Sequence, residues 1–184
     1  MLLSDGVITL RHPIAVDAGE IAAAVQSSLP ELQVFMPWAT TDYGPAEARH
    51  WIFGEFNPGE EPFVILDSAD AIIGSCGLGP IDHLNRVIEL GYWVRSDRAG
   101  EGIATRATRL LARHAIDNRG AMRVEIHVSV ENPGSSRVAE KAGATLEGIM
   151  RARLLINGEH HDAELWSILP DDLPSTSSCG FCES

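Results

Sequence analysis

A glycine-rich turn that leads from an apolar segment directly into a helical pattern constrains this chain more than any other stretch. The turn reads RAGEG, with Gly100 and Gly102 two positions apart, and apolar or small residues recur at helical spacing from Ile103 to His114. Glycine lets a backbone turn sharply, and the first amides of a helix have no internal partner and attract anions. The stretch therefore favours a phosphate-binding strand–loop–helix unit, with a simple tight turn as the alternative.

Other known phosphate loops fit these residues less well. A Walker A loop ends in Gly-Lys-Ser/Thr, whereas the only lysine of the chain is Lys141, far from the turn. The dinucleotide fingerprint G-x-G-x-x-G fails at its third glycine, where Thr105 stands. A nucleotide-binding module is thus a less favoured alternative.

Charge is distributed unevenly along the chain. The net charge is −12, yet residues 86–153 hold 12 of the 14 Lys and Arg against 8 Asp and Glu, which is +4. The remainder holds 2 basic against 18 acidic residues, which is −16. This balance argues against a general nucleic-acid binder. It favours an anionic ligand in one part of the molecule and a cationic one in the other.

Length and hydropathy predict one domain at residues 1–170, followed by a polar and flexible tail at 171–184. No segment resembles a membrane span or a secretory signal. We therefore expect a cytoplasmic protein without a membrane partner.

Periodicity predicts a mixture of hairpins and strand–helix units, which is the α/β or α+β class. Asp17 and Glu20 have capping-box spacing at the start of a first helix. Gly143 is expected to end the last helix, and NGE at 157–159 to join the last two strands as a hairpin.

Several motifs resemble the Gcn5-related N-acetyltransferase (GNAT) superfamily. RAGEGIA matches its R/Q-x-x-G-x-G/A signature, and NPGSSRVAEKAG resembles its Asn-x-x-Ser…Glu-Lys-x-Gly block. ELGYWV, FMPWATTDY and NGEHHDAELWSIL are similar to the branch that acetylates N-termini of ribosomal proteins. The resemblance covers residues 6–170 and implies a mixed, mostly antiparallel sheet. That sheet has six to seven strands with four helices and is splayed between the fourth and fifth strands.

The same resemblance implies acetyl-CoA as co-substrate, with no metal. Its pantetheine is expected beside Tyr92, Trp93 and Val94, and its thioester carbonyl on a strand amide near Val94. Core packing is the alternative role for the two aromatic rings. The amides expected around the pyrophosphate are those of Arg98, Ala99, Gly100, Glu101, Gly102, Ile103 and Ala104.

Acetyl transfer to an amine requires removal of one proton from the ammonium form. Glu89, at the start of ELGYWV, is our first candidate for the base, and Glu125 and His127 are lesser candidates. Ser135 is the candidate acid for the departing thiolate, and Asn132 is expected to bind cofactor or backbone. Both are also favourable helix N-caps, and a structural ion pair is the alternative for Glu89.

The loop FMPWATTDY is expected to line the acceptor pocket. Phe35, Met36, Trp38 and Tyr43 are candidates to hold an apolar stem, and Asp42 or Glu47 to attract a cation. Anchoring of the loop to the core is the alternative for each.

Some residues depart from the family pattern or stand outside it. Ala144 replaces a family Phe, which would loosen packing near the cofactor or widen the pocket for a longer acyl group, and Trp166 replaces a frequent Tyr. The C-x-x-C at Cys179–Cys182 and the pair His160–His161 are too few and too distal to predict a metal site. Asp162 is expected to be structural.

The sequence thus predicts an N-acetyltransferase acting on a primary amine, with a protein or peptide N-terminus favoured. An aminoglycoside or polyamine acceptor, a non-catalytic acyl-CoA sensor and a homodimeric assembly all stay open.

Overall fold

A computed structural model describes residues 1–55 and 58–173. In that part of the chain one eight-stranded sheet is flanked by five α-helices, with strand order β1-β2-β3-β4-β5-β6-β8-β7. The strands are β1 (Leu2–Ser4), β2 (Thr9–Arg11), β3 (Glu61–Leu66), β4 (Ile72–Leu78), β5 (Val87–Val94), β6 (Arg123–Ser129), β7 (Thr145–Ile156) and β8 (Glu159–Ile168). The helices are α1 (Ala18–Ser27), α2 (Leu29–Phe35), α3 (Pro45–Ile52), α4 (Ile103–Asp117) and α5 (Pro133–Ala142).

The predicted fold class is confirmed, although the described residues contain one strand and one helix more than expected. The additional strand β1 has three residues and pairs with β2. The additional helix α2 has seven residues and begins with Leu29-Pro30. Both are too short to show a periodic pattern, so the periodicity criterion misses them.

The sheet opens between β5 and β6, the fourth and fifth strands of the prediction. These strands are parallel and pair only from Val87↔Arg123 to Glu89↔Glu125, although they continue to Val94 and Ser129. The remaining neighbours are antiparallel. The expected splay is therefore present, with its closed end at Glu89.

Apolar residues pack on both faces of the sheet and thereby fix the orientation of β5. Ile88 and Leu90 belong to the core under α4 and α5. Trp93 belongs to the core under α1, α2 and α3. Because side chains alternate along a strand, Glu89 and Gly91 share the face of Trp93. We call this side of β5–β8, opposite α4 and α5, the acceptor face.

Two local predictions at the ends of the domain need correction. Asp17 makes no side-chain cap of α1; its carboxylate instead accepts from the Ile14 amide at 2.7 Å and pairs with Arg11. Glu20 accepts from the Ile72 amide at 2.7 Å, so the capping box does not form. At the other end Leu173 is buried in the core, so the packed domain extends beyond 170; residues 174–184, with the C-x-x-C, lie outside the described residues.

Other local predictions are confirmed. Gly143 ends α5 in the left-handed conformation at φ 100°, and Asn157 and Gly158, both with positive φ, form the hairpin turn. Within the described residues no helix has the length and apolarity needed to cross a bilayer.

Candidate functional site

The pairing of β4 with β5 determines which backbone groups point into the splay. The Gly79 amide donates to the Glu89 carbonyl at 2.8 Å, and the Arg95 amide donates to the Ile73 carbonyl at 2.9 Å. Hydrogen-bonded pairs alternate along antiparallel strands. The odd-numbered residues of β5 therefore direct their backbone groups toward β4. Beyond Leu90, the even-numbered residues direct theirs into the gap.

This register narrows the predicted pantetheine contacts on β5. Tyr92 and Val94 present backbone groups to the gap, whereas the backbone of Trp93 pairs with Ser75 of β4. The expected thioester position near Val94 is separated from Glu89 along β5. The two residues are five positions apart, roughly 16 Å along a strand. A thioester within reach of Glu89 would instead meet the Tyr92 amide first.

The glycine turn joins β5 to α4 through two left-handed residues. Gly100 has φ 83° and Gly102, the N-cap of α4, has φ 79°. A Cβ added at either position would meet no atom within 4 Å. The glycines are thus required by backbone conformation, and the space in front of the loop is open. The first amides of α4 have no partner inside the helix, an arrangement suited to an anion.

Two of the seven predicted loop amides are already engaged within the protein. The Arg98 amide donates to the Arg95 carbonyl at 3.0 Å, and the Ala99 amide donates to the Ser96 carbonyl at 3.2 Å. The candidate set for a pyrophosphate therefore narrows to the amides of Gly100, Glu101, Gly102, Ile103 and Ala104.

The arginine before the glycines anchors the loop. The Arg98 guanidinium lies 2.9 Å from the Asp67 carboxylate and 3.0 Å from that of Glu101. These carboxylates raise the pKa of Arg98, and Arg98 in turn lowers the pKa of Asp67 despite some desolvation. Arg98 is thus occupied by protein carboxylates, and its side chain supports the loop rather than facing a ligand.

A basic groove continues from the loop along α4 and was not anticipated from the sequence. It encloses about 520 Å³. Arg106 also pairs with Asp5 at 2.7 Å, and Arg109 donates to the Lys141 carbonyl. The i, i+3, i+7 spacing of Arg106, Arg109 and Arg113 was the available signal. The groove is lined by Asp5, Glu101, Gly102, Thr105, Arg106, Arg109, Leu110, Arg113, Lys141 and Leu173.

Glu89 lies on the acceptor face at the closed end of the splay. Its carboxylate is 3.3 Å from His127 Nδ1 and 3.7 Å from an Arg153 nitrogen. The hydrogen bond from His127 lowers the pKa of Glu89, burial opposes this shift, and the charges of His127 and Arg153 add to it. Glu89 is therefore ionised at neutral pH but, taken alone, is a weak base.

Asn132 and Ser135 lie at the start of α5. The Asn132 side chain accepts from the Ser135 amide at 3.1 Å, so it caps the helix as its residue type favours. Tyr92 donates from its hydroxyl to the Ser135 carbonyl at 3.3 Å, and burial raises the pKa of Tyr92. Tyr92 thus links β5 to α5 across the open end of the splay.

Three aromatic rings meet on the acceptor face. Trp38 lies 5.5 Å from Tyr43 and 6.2 Å from Trp93, measured between ring centroids. Trp38 is 41% exposed while Tyr43 and Trp93 are buried. Burial and the nearby Glu47 raise the pKa of Tyr43 to about 12. The structure therefore brings the predicted acceptor loop against the predicted cofactor strand.

The remaining acceptor-loop candidates differ in burial and in their contacts within the protein. Phe35 ends α2 half-buried, and Met36 packs against the core under α1 to α3. Glu47 accepts from the Gly44 amide at 2.9 Å and thereby caps α3. Asp42 is exposed.

Long-range contacts hold the acceptor loop. The Gln26 side chain donates to the Tyr43 carbonyl at 2.7 Å. The Ser96 amide donates to the Ser28 hydroxyl at 3.0 Å. The tip of the β7–β8 hairpin reaches α2, where Asn157 donates to the Gln33 carbonyl at 3.2 Å. α1 and α2 thus join the acceptor loop to the glycine turn and to the hairpin.

Ala144 and Trp166, which depart from the family pattern, lie on the face of the sheet opposite the acceptor face. Ala144 is buried in the core under α4 and α5. Trp166 donates from its indole to Glu164 at 2.7 Å, and Ser136 donates to the same carboxylate at 2.6 Å. Asp162 accepts from the Ala152 amide at 2.8 Å and so supports an irregular part of β7.

Comparison with known proteins indicates the same family as the sequence motifs. A family model described as the acetyltransferase (GNAT) domain matches residues 8–145. The ribosomal-protein-serine acetyltransferase of Escherichia coli is 31% identical over 102 residues, which cover 55% of this chain and 57% of that protein. The spermidine N(1)-acetyltransferase of Vibrio cholerae is 29% identical over 114 residues, covering 60% and 64% respectively. The matched region thus spans about three fifths of each curated relative.

Among solved structures, Mycobacterium smegmatis RimJ in complex with CoA-disulfide superposes with a TM-score of 0.81 at 27% identity. The match covers 95% of this chain and 88% of that one.

Proposed function

Since the chain belongs to the GNAT acetyltransferase family, we propose that it transfers an acetyl group from acetyl-CoA to a primary amine, with a protein or peptide N-terminus as acceptor. The observation that carries this proposal is the separation of β5 from β6 immediately after Glu89. That separation leaves backbone groups of β5 pointing into a gap that ends beside an ionised carboxylate.

The residues present fit acetyl-CoA along one continuous path. The amides of residues 100–104 would hold the pyrophosphate, and the open space before Gly100 and Gly102 admits it. The basic groove along α4 would hold the 3′-phosphoadenosine, since Arg106, Arg109 and Lys141 supply charge of the right sign. Tyr92 and Val94 would bond the pantetheine amides. Bound acetyl-CoA supplies the activated acyl group.

The positions of the side chains support the following proposed roles. Glu89 takes a proton from the acceptor ammonium, directly or through one water, so that a neutral amine can attack. The Tyr92 amide polarises the acyl carbonyl. Ser135 returns a proton to the departing sulfur, and Asn132 fixes the turn that carries it.

The acceptor side favours a cation with an apolar stem. Gly91 leaves an opening between Glu89 and Trp93, because a Cβ there would meet no atom within 4 Å. An amine in this opening would have the carboxylate on one side and Trp38, Tyr43 and Trp93 on the other. The relative named as a ribosomal-protein-serine acetyltransferase supports a protein acceptor. The relative named as a spermidine acetyltransferase supports a polyamine as the second candidate.

A CoA-release assay tests the proposal. Peptides with N-terminal Ser or Ala, the same peptides with blocked N-termini, spermidine and an aminoglycoside are compared at equal concentration. We expect the free peptides to have the highest kcat/KM and the blocked peptides none. Higher kcat/KM with spermidine would reassign the acceptor, and CoA binding without release for any amine would indicate a sensor.

A further inference from the structure

A buried histidine stands directly behind the proposed base on the acceptor face. The side chain of His127 is only 4% exposed. Its Nδ1 lies 3.3 Å from a Glu89 oxygen, and its Nε2 lies 3.4 Å from a Glu125 oxygen. A nitrogen of Arg153 also lies 3.3 Å from Nδ1.

Nδ1 of this ring faces an acceptor and a donor at the same distance. When Nδ1 carries a proton, it donates to Glu89; when it does not, it accepts from Arg153. Either protonation state therefore leaves Nδ1 with a partner. A purely structural histidine is usually held in one tautomer by one fixed neighbour.

The other ring nitrogen is not satisfied in the same way. Nε2 is buried and makes no hydrogen bond of acceptable geometry to any described residue, although Glu125 is close. An unsatisfied buried polar atom costs about 1–3 kcal/mol. A small ring rotation would bring Nε2–H onto Glu125 and would stabilise the imidazolium between two carboxylates.

The charged groups around the ring come from three strands. β5 contributes Glu89, β6 contributes Glu125 and Arg123, and β7 contributes Arg153 and Glu147. Arg123 pairs with one Glu125 oxygen at 2.7 Å and with Glu147 at 2.6 Å. The second Glu125 oxygen is the one that faces His127, so a carboxylate oxygen lies next to each ring nitrogen.

We propose that His127 stores the proton that Glu89 removes from the acceptor ammonium; this inference rests on the proposed function. The ammonium loses one proton to Glu89, which passes it to Nδ1 of neutral His127. The amine nitrogen then forms the C–N bond as the C–S bond breaks. Its second proton ends on the CoA sulfur, and the stored proton leaves to solvent through Glu89. His127 acts through Glu89 and is therefore a positioning residue.

The pH profile of His127→Gln tests this role, with His161→Gln as matched control. His161 pairs with Glu131 at 3.4 Å, outside this cluster. We expect His127→Gln to lower kcat/KM for the acceptor about tenfold. Its acidic limb should move to lower pH, because the carboxylate alone then sets it. His161→Gln should match the wild type. An unmoved limb in His127→Gln overturns the proposal, even if the rate falls.

A measurement without turnover separates this inference from the proposed function. The His127 ring proton is followed by NMR from pH 5 to 9 in the wild type and in Glu89→Gln. We expect a titration whose midpoint falls in Glu89→Gln, since the carboxylate stabilises the imidazolium. A ring that does not titrate, or whose titration midpoint is the same in Glu89→Gln as in the wild type, would overturn the proposal that His127 stores the proton. Failure of the wild type to acetylate any amine would overturn the function alone.

Discussion

The glycine turn and the acceptor face lie at opposite ends of one splay, yet they are built in different ways. In the turn, the groups offered to a ligand are backbone amides from five consecutive residues, and the nearby Arg98 is occupied by Asp67 and Glu101. On the acceptor face, the offered groups are side chains from three strands and a distant loop. In the proposed function, phosphate binding at the turn would therefore depend on backbone conformation, whereas amine chemistry on the acceptor face would depend on a balance of charges.

Replacement of the carboxylate at the closed end should have the largest effect. In Glu89→Gln the side chain keeps its size but no longer accepts a proton, so kcat/KM should fall about 100-fold. The Kd for CoA, measured by calorimetry, should stay unchanged, because the turn does not use this charge. Glu131→Gln, an exposed carboxylate paired with His161, is the control. Equal rates for Glu89→Gln and wild type would remove Glu89 as the base.

Replacement of a turn glycine should change the Kd for CoA, the quantity that Glu89→Gln leaves unchanged. In Gly102→Val a β-branched residue is forced to φ 79°, which costs about 1–3 kcal/mol of conformational strain. If the loop relaxes to avoid it, the Kd for CoA should rise about 30-fold. Gly120→Val carries the same strain at φ 71° near the end of α4 and should lower the melting temperature without changing the Kd. Comparable Kd changes in both variants would contradict a loop-specific role.

The contrast also explains what the sequence could predict. The turn is contiguous, so Gly100, Gly102 and the start of α4 follow from local patterns alone. The use of the Arg98 and Ala99 amides within the protein depends on a short 3₁₀ turn at Ser96–Arg98. That turn has no strong sequence signature, so the sequence does not reveal that these two amides have partners within the protein.

The sequence predicts individual residues of the acceptor face but not how they are arranged relative to one another. Glu89 and His127 were both candidates, yet their contact depends on the parallel pairing of β5 with β6, which no local pattern fixes. Arg153 comes from β7, two strands further along the sheet. Glu47, a candidate to attract a cation, also caps its own helix. Side chains that meet across strands require the register, and the register is a tertiary property.

The aromatic corner provides a smaller test of the acceptor face. In Trp38→Ala an exposed ring beside Tyr43 and Trp93 is lost, which removes roughly 1 kcal/mol of cation–π and apolar contact with an amine. The KM for the acceptor should rise about fivefold while kcat and the Kd for CoA stay unchanged. Phe53→Ala, another exposed aromatic residue, is the control. A loss of CoA affinity in Trp38→Ala would show that the two ends of the splay are not separable.

The smallest effect concerns the ion pairs that support the acceptor face. Arg123 and the Ser167 hydroxyl lower the pKa of Glu147 from 4.5 to about 2. A carboxylate whose pKa is lower in the folded than in the unfolded state stabilises the fold at pH values above its unfolded-state pKa. That contribution is lost as the pH falls toward the folded-state pKa. Because the Glu147 side chain is 37% exposed, solvent screening reduces its contribution to the stability of the fold to about 1 kcal/mol.

Glu147→Gln should therefore lower the melting temperature by about 2–4 °C at pH 7. The difference from wild type should shrink as the pH falls below 4.5 toward 2, whereas Glu159→Gln, exposed at the hairpin, should show no such trend. Because the turn uses no titrating group toward its ligand, the same variant should bind CoA with wild-type affinity at pH 7. A stability loss that is constant with pH would mean that Glu147 supports the face by packing rather than by charge.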